Sequence, residues 1–157
     1  MTITKFKEIQ FDTPDTILTG TLTDKNKFVM LLSNGDVISY SIDTEKTESL
    51  FSVKSFIQYS DGGFDLTAKS TIYALDEIVV IVNDFKTHGI IHYPGKYSVL
   101  RLMREDYHAD ISCYPISLFK NASGVPHLIY GVAWNHIQIM NLETRQVLTA
   151  TKSLIEE

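Results

Sequence analysis

Short apolar runs closed by turn-forming residues recur along the chain with a fixed rhythm. The runs "FVMLL" (28–32) and "IVVIV" (78–82) are built of β-branched, aromatic and aliphatic residues, which suits strands covered on both faces. A helix would need a longer run of period 3.6, and residues 20–151 offer none. Laid over residues 128–150, the stretch 28–50 matches in character without a gap. Phe28, Val29, Met30 and Leu32 fall on Leu128, Ile129, Tyr130 and Val132. Val37, Tyr40 and Ile42 fall on Ile137, Met140 and Leu142, and Asp43-Thr44 falls on Glu143-Thr144. Halfway between, Ile78 to Val82 match Phe28 to Leu32 at a spacing of 50, and residues 89–93 and 97–102 supply the next two runs after a longer break. The chain therefore reads as three units of about 50 residues, a self-similarity that decides architecture before any local assignment. An all-β chain without repeats would also show short apolar runs; the ungapped match favours the repeat.

Turn chemistry agrees. Ser33-Asn34-Gly35-Asp36 is a strong hairpin signal because Asn and Gly tolerate positive φ. Asp43-Thr44-Glu45-Lys46 and Tyr93-Pro94-Gly95-Lys96 are the following turns of their units. Four strands per unit are predicted: 16–22, 27–33, 36–42 and 47–53; then 66–72, 77–83, 88–93 and 97–103; then 116–122, 127–133, 136–142 and 146–152. Pro115 and Ala68-Lys69 sit awkwardly beside the leading strands of the last two units.

The stretches "LSNGDVISYSIDTEK" (32–46) and "AWNHIQIMNLETRQ" (133–146) each place a hairpin, a strand and an acidic-Thr turn in succession. In this the chain resembles the WD40-like repeat proteins over about residues 27–151. The resemblance implies an all-β fold of antiparallel four-stranded β-propeller blades, spanning about 12–53, 66–103 and 116–152. The Gly-His pair of the WD40 signature is absent, and the Trp-Asp positions read Tyr40-Ser41, Tyr93-Pro94 and Met140-Asn141, so only the blade architecture is carried over. "DYHADISCYPISLFKN" (106–121), with Trp134-Asn135, is also similar to uncharacterised bacterial propeller-like proteins, which implies no activity. Propellers close with roughly four to eight blades, so three are an incomplete ring whose outer strands offer unpaired edges. The expectation is that the chain is part of a longer one or self-associates, two copies making six blades about a two-fold axis. A strand candidate at residues 2–11 is placed to cover one edge.

Composition narrows the partners. Lys and Arg number 14 against 19 Asp and Glu, a net charge of -5 with no basic cluster, which argues against binding a phosphate backbone. Cys113 is the one cysteine, so no intrachain disulfide and no Cys-based metal site can form. No stretch reads as a signal peptide or membrane span; a cytoplasmic protein without a membrane or nucleic-acid partner is expected.

In propellers the loops between blades share a face with the loop joining the second and third strands. Carried onto this chain, that arrangement implies one rim gathering Tyr59, Asp61, Phe64, Asp65, Asp84, Phe85, Tyr107, His108, Asp110, Trp134, Asn135 and His136. Aromatics beside carboxylates and His suit a protein-binding hot spot, and Gly62-Gly63 frees one loop's backbone. His108 and Asp110 with His136 could ligate a metal, but a loop histidine and a turn cap are the simpler reading. His88 and His92 fall in a predicted strand and read as exposed positions. Cys113 reads as a small buried hydrophobe, and Trp134 either as an anchor or as a plug between blades. No G-x-S-x-G, P-loop or G-x-G-x-x-G occurs. The expectation is a non-enzymatic protein-interaction module or scaffold needing no cofactor and no metal. The alternatives are a hydrolase or sugar-binding site at the centre of an assembled propeller, using His108, Asp110, Asp61 and Asp65, or blades that are purely structural.

Overall fold

A computed structural model describes residues 8–10, 15–54, 66–83, 88–93, 96–101, 113–132 and 136–150 of the protein. The described residues form three antiparallel sheets of four strands each. The first sheet runs β1 (Ile17–Leu22), β2 (Lys27–Leu32), β3 (Asp36–Ser41) and β4 (Thr47–Ser52), in that order across the sheet. The second has β5 (Ser70–Leu75), β6 (Ile78–Asn83), β7 (His88–Tyr93) and β8 (Lys96–Arg101). The third has β9 (Cys113–Lys120), β10 (Pro126–Val132), β11 (His136–Asn141) and β12 (Val147–Ala150). The chain is all-β, as its periodicity predicts, and no helix among the described residues is long and apolar enough to cross a membrane.

The repeat is written into backbone hydrogen bonds as well as side-chain character. At the β3–β4 turn the Ser41 N–H donates to the Lys46 carbonyl at 2.9 Å, and at the β11–β12 turn Asn141 donates to Gln146 at 2.9 Å. Glu45 and Arg145, again 100 apart, both take the left-handed conformation, with φ of 57° and 65°. Ile42 donates to the Asn26 carbonyl at 2.9 Å and Leu142 to that of Pro126 at 3.0 Å. In the hairpin between β2 and β3, Gly35 adopts φ of 93°, a conformation glycine enters without a steric penalty. Its N–H donates to the Leu32 carbonyl at 2.9 Å, and Asn34 Oδ1 accepts from the Asp36 N–H at 2.8 Å.

The leading strands depart from expectation. Residues 66–69 are turn and coil rather than strand, and β5 begins at Ser70. Thr71, Ile72 and Tyr73 carry the β-branched and aromatic character that the pleat favours. β9 begins earlier than residue 116, at Cys113, with Pro115 inside it. The ladder absorbs the proline at an irregularity, where Ile129 pairs with Ser117 and Tyr130 with Pro115. Since β9 is the edge of its sheet, a missing N–H is tolerated there.

Period-two alternation lets β6 serve two cores at once, and every residue of it is buried. Val79 and Ile81, with Ile72 and Ile90, pack against Val29, Leu31, Val37, Phe51 and Val53 of the first sheet. Ile78, Val80 and Val82, with Ile91, pack against Leu128, Tyr130, Met140 and Leu142 of the third. Each such aliphatic side chain contributes roughly 1.5–3 kcal/mol when taken from water, so this strand stabilises both interfaces.

The second sheet packs on the other two, one on each of its faces. Leu128, Tyr130 and Met140 turn towards the second sheet. Their counterparts Phe28, Met30 and Tyr40 stand on the opposite face of the first sheet from Val29, Leu31 and Val37. In the register of the repeat, the first and third sheets thus turn opposite faces to the second. β1 lies beside β5 and β5 beside β9, so the first strand of each sheet lines the same side of the stack.

Candidate functional site

A groove of about 870 Å³ opens between the first and second sheets. Its floor is Val29, Ser39 and Phe51 from β2, β3 and β4, with Val79 and His92 from β6 and β7. Register explains the grouping: Val29 pairs with Ser39, and Val79 with His92. Ser39 takes a buried position on the strand that also buries Val37. A hydroxyl-bearing side chain where an aliphatic one would fill the interface leaves room above it. His92 is buried and stacks on Phe51, ring centroids 4.2 Å apart and planes within 10° of parallel. The sequence expectation of an exposed His92 is therefore corrected. Burial holds its imidazole below the usual histidine range, so it is neutral at neutral pH.

One wall is β4, with Glu48, Ser49 and Ser52 lining the groove and Lys54 just beyond it. Among the described residues β4 pairs with β3 alone, as the edge of its sheet. Two tight turns form the end wall. Thr23 accepts at its hydroxyl from the Lys25 and Lys27 N–H groups at 3.3 and 3.2 Å. Opposite it, Asp76 and Glu77 make the β5–β6 turn, in which Asp76 takes φ of 54°. The rim carries Lys25, Lys27 and Lys54 together with Glu48, Asp76 and Glu77. The Lys54 ammonium stands 3.6 Å from Asp36. Lys120 of β9 donates to the Asp76 carboxylate, and this hydrogen bond and charge hold the Asp76 carboxyl below its ordinary value. The arrangement offers a floor of Val29, Phe51 and Val79 interrupted by Ser39 and His92, hydroxyls of Ser49 and Ser52 on one wall and both signs of charge at the margin, the pattern of a pocket that orients a mixed ligand.

The loop residues expected from the sequence lie elsewhere. Tyr59, Asp61, Phe64, Asp65, Asp84, Phe85, Tyr107, His108, Asp110, Trp134 and Asn135 fall outside the described residues. His136 opens β11, its backbone paired with Val132. Among the described residues no group of three or more His, Cys, Asp or Glu side chains could hold a metal ion. The groove was overlooked by sequence reasoning, although Ser39 was visible as a small polar residue between Ile38 and Tyr40.

No protein-family model matches the chain. The search of curated proteins found no match. Among solved structures, the chain is similar to the 2.23 Å crystal structure of an auxiliary nutrient binding protein from Bacteroides thetaiotaomicron VPI-5482, with 13% identity and a TM-score of 0.48. The similarity covers 83% of this chain and 35% of that one, so this chain spans about a third of that protein's length.

Proposed function

We propose that this chain is a non-enzymatic interaction module of propeller-like blades that takes an extended peptide segment of a partner protein into the groove between its first and second sheets. The blade reading is supported by three sheets of like strand order, the second packed between the other two, with their first strands side by side. The single observation that carries the binding reading is that β4, an edge strand among the described residues, forms a wall of an open groove floored largely by Val29, Phe51 and Val79. An unpaired strand edge supplies N–H and C=O groups in the register of a second strand. A partner chain laid along it gains main-chain hydrogen bonds, and alternate side chains enter the floor. Lys27 and Lys54 against Glu48 and Glu77 favour a segment carrying both charges.

Selection from a random peptide library followed by calorimetric titration tests this. Enriched sequences of alternating apolar and polar residues are expected, with binding abolished by Ser49→Trp, which fills the groove from an exposed position. Tyr107→Ala and Trp134→Ala probe the rim implied by the sequence. Binding lost in those two and untouched by Ser49→Trp would move the site to that rim.

A further inference from the structure

The groove carries a titratable ring in its floor. On β7, alternation puts His92 on the face that Ile90 turns to the first sheet. It lies across from Val79 and stacks on Phe51. Each of the two rings is only 9% exposed, and both line the groove together with Val29 and Val79. Burial already disfavours the charged form of the imidazole.

The charged groups of the surrounding elements stand at the margin. β2 supplies Lys27 and β4 supplies Glu48, while Lys25, Asp76 and Glu77 belong to the two turns of the end wall. Lys54 follows β4 and stands 3.6 Å from Asp36 of β3. Asp76 accepts from Lys120 of β9. In the second sheet, β6 brings no charged residue between Ile78 and Asn83. Tyr97 of β8 lies across from His92, and His88 opens β7. Val29, Phe51 and Val79, which share the floor with His92, carry no charge. An imidazolium formed there draws solvation from water entering the open groove.

We propose that occupancy of the groove is coupled to protonation of His92, so that a segment bound at neutral pH is released on acidification. This control rests on the groove being where the segment binds. A segment laid over the floor replaces water with its own side chains. The charged ring then loses hydration, whereas the neutral ring loses little. The occupied groove therefore takes up the His92 proton at lower pH than the empty one. Affinity is level above the pKa of the empty groove and declines as pH falls through it, by at most about tenfold per pH unit for one proton.

Calorimetric titration at about pH 7.5 and about pH 5, on either side of the ordinary histidine value, is the test. The probe is a histidine-free peptide taken from the library selection, and the lower pH is kept within the range where the far-UV circular dichroism is native. Wild type is expected to bind roughly three- to tenfold more weakly at the lower pH. His92→Phe, whatever its absolute affinity, is expected to lose that ratio, and His127→Gln, outside the groove, to keep it. Should His92→Phe fail to fold, His92→Gln takes its place. Wild-type binding equally tight at both pH values, a ratio that survives in the His92 variant, or one that disappears in His127→Gln would overturn the coupling and leave the peptide reading standing. A chain that binds no peptide at either pH would overturn both.

Discussion

The imidazole of His92 lies flat on the phenyl ring of Phe51, 4.2 Å between centroids. This contact fastens the third strand of one sheet to the outer strand of another. It ties the stability of the groove to the ionisation of one ring.

Because burial lowers the His92 pKa in the folded protein, the unfolded chain takes up this proton at higher pH than the native state does. Stability is independent of the group well above the ordinary histidine value of about 6.5, and declines as pH falls below it. The urea midpoint is expected to fall on acidification through that window. His92→Phe, which keeps a stacking ring and removes the titration, should flatten the slope. A variant as acid-sensitive as wild type would locate the sensitivity in another group.

Gly89 is held by backbone proximity. A Cβ there would stand 2.8 Å from the Ile81 carbonyl oxygen and 3.1 Å from Val82 Cγ2, both on the fully buried β6. Gly89→Ala should lower stability by about 1–3 kcal/mol, the usual cost of overpacking. Equilibrium unfolding in urea, with an unchanged m-value, is the measurement.

Tyr93 links the second and third sheets by donating its hydroxyl proton to the Leu142 carbonyl at 3.2 Å. Tyr93→Phe should cost about 0.5–1.5 kcal/mol, the net worth of one hydrogen bond. Burial is the main cause that raises the Tyr93 pKa, opposed by the Arg145 cation and aided by the Glu143 carboxylate. Ultraviolet titration should therefore show the variant losing late-ionising tyrosine absorbance relative to the wild type.

The Lys120–Asp76 pair also spans these two sheets, but on the surface, where side-chain entropy and salt offset most of the attraction. Lys120→Met should leave the midpoint close to wild type near neutral pH, and closer still in high salt. The pair's contribution is present above the ordinary carboxylate range and fades as pH falls through the lowered Asp76 pKa. A large loss at neutral pH would give this pair a structural weight that its exposure does not suggest.

Strand-to-strand spacing was legible in the sequence wherever turn chemistry was strong. Asn34-Gly35 and the turns ending at Glu45 and Arg145 place β2, β3 and β4, and β10 and β11, within a residue or two of expectation. β5 was misplaced because its hairpin closes through Asp76 in a left-handed conformation, a role no glycine or asparagine advertises there. The exact spacing of 100 between first and third units survives in hydrogen bonds. The spacing of 50 does not survive as a matter of faces: Val79 and Val29 meet across one interface, while Val80 turns to the third sheet. The groove was illegible for a related reason. It depends on which sheet lies over Ser39, and a pattern along one strand is silent about the neighbour opposite. A histidine in a strand such as His92 is exposed or buried according to that same neighbour.

A middle sheet shared by two cores has a consequence for cooperativity. A core enclosed by two matched layers is complete once both are present, and an added layer would find nothing to bury. Here the second sheet closes two cores, one on each face, so loosening it would open both at once.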